Sequence, residues 1–246
     1  MSRGINSPIE GNLYERKIYD IIRHIKLNHS SFNTQPSTSL GGSLSRNDIE
    51  CNHTVFDVPI EIKKFNTPDW MQCRIQYNKN RNRWEPVLQG KIPNDCRTIF
   101  KTLLERASIF DGDIPPFVKE NITYEQWLRI KRSTNKWNDY YIDIPNHIIR
   151  DLYRNKGCSY IQISGGFGLY HLGEDECGFK VPEFIPDQQL RIRIKIHSRC
   201  NSRGFCSLSV TASCQPKNIK MFGRSPYSLD SKYTLPVNLT YQPSST

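Results

Sequence analysis

The sequence has no apolar run approaching the roughly 18 residues that a membrane-spanning helix needs, so no transmembrane segment is expected. Its opening residues, Met1-Ser-Arg-Gly-Ile-Asn-Ser-Pro8, lack the hydrophobic stretch of a secretory leader. An intracellular place, in cytoplasm or nucleus, is therefore expected, and secretion is not. Cysteine is sparse, 8 in 246 residues, with no close Cys-x-x-Cys pair, which argues against a disulfide scaffold. His197, Cys200, Cys206 and Cys214 are too widely spaced for a zinc site to be the leading reading. No Lys-Ser/Thr follows Gly165-Gly166-Phe167-Gly168, so that turn does not read as a phosphate cradle. No Gly-x-Ser-x-Gly or paired Cys/His nucleophile pattern occurs either. Acidic residues are also in deficit. The 24 Asp and Glu stand against 34 Lys and Arg, a formal charge of +10, which favours polyanionic partners.

Hydrophobic residues are 37% of the chain, enough for a sizeable core. Ser7-Pro8-Ile9-Glu10 combines an N-cap, a proline at the first helical position and a capping-box glutamate. Apolar residues then recur at helical spacing from Leu13 to Ile25, so a helix to about Leu27 is expected. A polar loop follows, then a short strand over residues 47–51 and a second over 55–65. The same cap-then-proline pattern at Thr67-Pro68-Asp69 predicts a helix to about Tyr77. Further helices are expected over 94–107, 124–132 and 145–153, with a strand at 160–163. Leu190 to His197 alternates apolar and basic residues, and 206–214 alternates apolar residues with Ser and Thr, which predicts a hairpin through 201–204. Residues from about Pro236 read as a loose tail. The order of elements indicates an α/β or α+β domain.

The chemistry lies in Glu15, Asp48, Glu61 and Lys63. On a strand Glu61 and Lys63 share one face and Ile60 and Ile62 the other, so a core-packed isoleucine face aims a carboxylate and an ammonium together at the opposite side. Asp48 precedes Glu61 by 13 positions (61 minus 48), a gap that a β-hairpin closes. Two carboxylates make a hard oxygen site for Mg²⁺ or Mn²⁺, and Lys63 can orient a water and stabilise charge on phosphorus. Glu15 lies on the apolar stripe of the first helix, where it needs a cation; such a metal is one candidate and Arg16 another. Asp57 rivals Asp48 but shares a strand with Glu61, and Glu50 could replace or supplement it. Glu-x-Lys on a strand commonly marks no more than a solvated face; it is the combination that points to catalysis.

An Asp, about a dozen residues, then Glu-x-Lys, with a helical Glu upstream, resembles the PD-(D/E)xK nuclease superfamily. The local likeness is to archaeal Holliday-junction resolvases, through Gly11-Asn-Leu-Tyr-Glu15-Arg16, Ser43 after Gly41-Gly42, Asp48-Ile49 and Ile60-Glu61-Ile62-Lys63. It covers roughly residues 11–64; Asn47 replaces a proline of the pattern, and nothing after about residue 80 follows a junction resolvase. The resemblance implies a restriction-endonuclease-like core, a central mixed sheet flanked by helices. That core would use about 1–80 and 145–170 of a single domain, with a helical insertion over 81–144 and a β-hairpin region over 185–236. It implies metal-dependent hydrolysis of duplex or branched DNA by metal-activated water, with Glu15, Asp48 and Glu61 as metal ligands and Lys63 as catalytic lysine. Gln72 or Gln76, placed on the helix after the motif, resemble polar residues near the scissile phosphate. A restriction-type, viral or mobile-element nuclease suits the length, and homodimerisation suits an enzyme that cuts two strands. The alternative is a non-catalytic DNA-binding or packaging protein that retains the fold.

The basic strand Arg191-x-Arg193-x-Lys195 supports two readings, a surface that tracks DNA phosphates or an edge guarded by charge. Lys79, Arg81, Arg83 and Trp84 read more simply as a solvated loop, and His171 with Glu174 to Glu176 as an acidic surface loop.

Overall fold

The computed structural model describes residues 6–27, 30–31, 33–36, 49–52, 57–67, 69–88, 92–198, 205, 207–218 and 223–243. Along the chain run helix α1 (Asn6–Ile22) and strands β1 (Ile25–Leu27), β2 (Ser30–Ser31), β3 (Asn33–Pro36), β4 (Ile49–Asn52), β5 (Asp57–Lys63), β6 (Met71–Asn78) and β7 (Arg83–Pro86). Helices α2 (Asn94–Glu105), α3 (Pro116–Lys119) and α4 (Tyr124–Ser133) follow, then β8 (Tyr140–Ile144) and α5 (Ile148–Asn155). Strands β9 (Tyr160–Ile163), β10 (Gly168–His171), β11 (Gln188–Ser198), β12 (Ser207–Pro216) and β13 (Leu239–Tyr241) complete the series. The result is a mixed α/β chain in two compact units. The first takes residues 1–68, 149–186 and 218–246, and the second 69–148 and 187–217. No helix among the described residues is long and apolar enough to cross a membrane.

The first unit centres on a five-stranded sheet of order β10-β9-β5-β4-β3. Its β5 and β9 run parallel while the other neighbours are antiparallel, so the expected central mixed sheet is present. The expected hairpin is there too, with Ile49 opposite Ile60 and Cys51 opposite Val58. Val58, Ile60, Ile62 and Tyr160 pack against Ile18 and Ile22 of α1. The first helix stops at Ile22 rather than near Leu27, because Ile25–Leu27 pairs as a strand with β13. Residues 237–243 are therefore not a loose tail. Leu239 is buried opposite Leu27, and Leu229 enters the same core. Gln162, fully buried on β9, fastens this segment. Its Oε1 accepts from the Leu229 amide at 2.9 Å, and its Nε2 donates to Ser228 Oγ at 2.9 Å and to Tyr14 Oη at 3.0 Å.

The second unit holds an antiparallel sheet of order β7-β6-β12-β11-β8. The expected pairing of β11 with β12 is present, Leu190 opposite Cys214 and Ile194 opposite Val210. Residues 71–78 correct the sequence reading: they are strand β6, not a helix after the motif. Met71, Cys73 and Ile75 are buried while Gln72, Arg74 and Gln76 are exposed, the period of a half-buried strand. The cap-like Thr67 instead closes a turn, its hydroxyl donating to the Lys64 carbonyl at 2.6 Å. Gln72 and Gln76 consequently stand on the open face of a sheet. Helix α2, in contact with β7, buries Cys96, Phe100 and Leu104, and α4, opened by a Thr123–Gln126 capping box, buries Trp127.

Candidate active site

Strand β5 lies between β4 and β9, and its pleat sends Glu61 and Lys63 away from the face that Ile60 and Ile62 give to α1. Glu61 is only 1% exposed. A carboxylate at that depth must be met by positive charge or hydrogen bonds. It is met by two ammoniums. Lys63 Nζ lies 2.5 Å from Oε1 and Lys156 Nζ 2.9 Å from Oε2. The Cys158 thiol adds a contact to Oε2 at 3.7 Å. The Tyr153 ring stands within cation–π range of both cations, its centroid 5.5 Å from Lys63 Nζ and 5.3 Å from Lys156 Nζ. Burial alone would push the Glu61 carboxyl up, but the charges and hydrogen bonds of Lys63 and Lys156 outweigh it and hold the group below its ordinary value.

The end of α5 builds half of the cluster. Gly157 has φ +93°, which a side chain rarely adopts, and its amide donates to the Arg154 carbonyl at 2.8 Å. The Cys158 amide reaches back to the Tyr153 carbonyl at 3.0 Å. These two bonds are a Schellman motif. The turn reverses the chain into β9 and leaves Lys156 and Cys158, on either side of the glycine, both touching Glu61. Sequence reading missed Tyr153, Lys156 and Cys158. The available signal was Gly157, a helix stop directly before an apolar strand, with a lysine three residues after a tyrosine on one helix face.

No protein-family model and no curated protein matches the chain. Among solved structures it is similar to HhaI endonuclease in complex with DNA. That likeness covers 75% of this chain and 84% of the other at 13% identity, with a TM-score of 0.38.

Of the residues singled out from sequence, Glu61 and Lys63 come together. Glu15 is half-buried on α1, the helix packed on the opposite face of β5, and has interactions of its own there. Asp48 lies outside the described residues, as do the side chains of Glu50 and Asp57. The other named residues belong to the second unit. Gln72 Oε1 accepts a hydrogen bond from Lys195 Nζ at 2.6 Å. Arg191 is nearly buried and neutralised, its Nε 3.0 Å from Asp139 Oδ2 and its Nη1 3.3 Å from Asp69 Oδ1. Arg193 is 3.6 Å from the other oxygen of Asp69.

Glu61 is the type of hard oxygen donor that Mg²⁺ or Mn²⁺ prefers. Among the described residues, no group of three or more His, Cys, Asp and Glu is placed to hold a metal ion.

Proposed function

We propose that the chain is a divalent-cation-dependent endonuclease that hydrolyses DNA phosphodiesters, with Glu61 and Lys63 at its centre. The reading is carried by the convergence of these two side chains on one buried face of an interior strand. Glu61 with Asp48 would hold Mg²⁺ or Mn²⁺, whereas Glu15 stands on the helix packed against the other face of β5. When bound, the ion would supply a more acidic water and neutralise charge building on phosphorus. Lys63 orients the attacking water and donates to the phosphoryl oxygens as negative charge grows there. Lys156 and the Tyr153 ring keep the Lys63 ammonium and the Glu61 carboxylate in place, and attack is in line, with no covalent intermediate on the protein. Supercoiled plasmid and a four-way DNA junction, each incubated with Mg²⁺, Mn²⁺ or EDTA, test the proposal. Nicking or linearisation in either metal, absent in EDTA and lost in Glu61→Ala and Lys63→Ala, is expected. Cleavage that survives both substitutions, or no cleavage of either DNA, overturns it.

A second reading has an observation of its own. Both oxygens of Glu61 are engaged by ammoniums, Lys63 at one and Lys156 at the other, an arrangement that suits a structural ion cluster more than a metal ligand. A DNA-binding or packaging protein that retains the fold without cutting fits that arrangement. It predicts tight DNA binding with no cleavage in Mg²⁺ or Mn²⁺.

A further inference from the structure

The sheet of the second unit has two unlike faces. One is closed by Met71, Cys73, Ile75, Ile192 and Val210, all buried. On the other, cross-strand rows run from β11 over β12 to β6. Arg191 pairs with Ser213 and Ser213 with Gln72; Arg193 pairs with Thr211 and Thr211 with Arg74. The middle strand offers only short hydroxyl side chains, Ser209, Thr211 and Ser213, all buried, so the floor lies low between longer polar and cationic side chains. Lys195 spans it to reach Gln72.

Charge on this face is uneven. Arg191 is consumed by Asp69 and Asp139. Arg74 is exposed and Arg193 40% exposed at its side chain, whereas Asp69 is 10% exposed. No ion pair engages Arg74 or Lys195 among the described residues. Burial lowers the Lys195 ammonium, with smaller contributions from the charges of Arg193 and Arg191, against the opposing pull of Asp69. Edge protection does not account for Arg74, whose strand pairs with β12 on one side and whose carbonyl accepts the Val87 amide at 2.9 Å on the other. An antiparallel face bearing Arg74 and Lys195 outside any ion pair among the described residues, with Arg193 more exposed than its partner Asp69, over a low floor is complementary to a phosphate chain.

We propose that this face is a contact surface for the backbone of duplex DNA, with Arg74, Arg193 and Lys195 on phosphates and Arg191 serving the fold. The inference rests on DNA being the ligand of the chain, but it does not need the chain to cut. Equilibrium binding to a labelled duplex of about 30 base pairs is measured by fluorescence anisotropy in EDTA across a series of salt concentrations. The full-length Arg74→Gln/Arg193→Gln/Lys195→Gln variant is compared with Lys101→Gln/Lys119→Gln/Lys131→Gln, which removes the same charge from exposed helical positions of the same unit. The face variant is expected to bind more than about tenfold more weakly, with a slope of log affinity against log salt shallower by about 2–3. The helix variant should stay within about threefold of wild type, and Arg74→Lys/Arg193→Lys should keep the wild-type slope. Circular dichroism melts establish that each variant is folded; if the triple variant is not, the three single substitutions carry the test, each expected to flatten the slope by about 1. Equal losses in the face and helix variants, an unchanged slope in the face variant, or preference for an RNA duplex overturns the proposal. A protein that binds through this face yet never cuts plasmid defeats the nuclease reading and leaves this one standing. One that cuts while the face variant binds like wild type defeats this one alone.

Discussion

Glu61 is held by two cations that differ in origin, Lys63 from its own strand and Lys156 from the end of α5. Removing one ammonium leaves the carboxylate with the other, whereas removing the carboxylate takes a shared counter-charge from both lysines at once. Lys156→Met is therefore expected to cost about 1–3 kcal/mol and Glu61→Gln about 3–5 kcal/mol, in that order, by urea unfolding. The reverse order would mean that the carboxylate, not the lysines, is the strained member. Glu85 on β7 is a second charged residue whose surroundings can be read directly. A hydrogen bond from Asn78 first, and then those from Arg83 and Arg81, hold its carboxyl at about 2, well below the ordinary 4.5. Its contribution to stability is thus fully present above 4.5 and is lost as pH falls through about 2. Carbon-detected NMR titration should give that low midpoint, with Asn78→Ala raising it; a midpoint at the ordinary value would show that the contacts do not persist in solution.

At the scale of elements, the Schellman turn at Gly157 joins packing to the site. A side chain added there would meet nothing within 4 Å, so the cost of Gly157→Ala comes from its φ of +93° alone. About 1–2 kcal/mol is expected by urea unfolding, from forcing a left-handed conformation on a residue with a Cβ. Because Lys156 sits on that turn, any nuclease activity should fall with it. Loss of stability with full activity would separate the turn from the chemistry. The same element shows what was legible in advance. Gly157 and the apolar run Tyr160–Ile163 mark a helix stop and a buried strand, but nothing in one dimension says that this strand lies parallel to β5 and brings Lys156 against Glu61. The pair Glu61–Lys63 was readable because strand alternation is local. So was the pairing of β11 with β12, whose two faces are apolar and polar in strict alternation from Leu190 to Lys195. Strand β6 was misread because a cap-and-proline signal at Thr67 was allowed to outweigh the alternation from Met71 to Gln76, and its partner β12 lies far along the chain. The segment around Leu239 looked like a tail because its polar spacing hides two anchors, the backbone pairing of Leu239 with Leu27 and the hold of Gln162 on Leu229, that exist only in three dimensions.

At the scale of the whole molecule, neither unit is a continuous piece of sequence. The chain passes between them near residues 68, 148, 186 and 217, so neither can be removed by simple truncation and functions must be separated by point substitution. The two candidate functions divide between the units: the carboxylate–lysine cluster belongs to the first and the open cationic face to the second. If the cluster does the chemistry and the face holds the polymer, their losses must differ in kind. Phosphate contacts that bind substrate and transition state alike weaken KM and leave kcat unchanged, whereas a lysine that acts on the developing charge lowers kcat. Single-turnover cleavage of plasmid in Mg²⁺ should distinguish the two. At saturating protein and low salt, the Arg74→Gln/Arg193→Gln/Lys195→Gln variant should recover the wild-type rate to within about threefold, while Lys63→Ala stays down by about a hundredfold or more at every concentration. Recovery by Lys63→Ala on raising protein concentration would reduce that lysine to a binding role and leave the nuclease centre without its reactive cation.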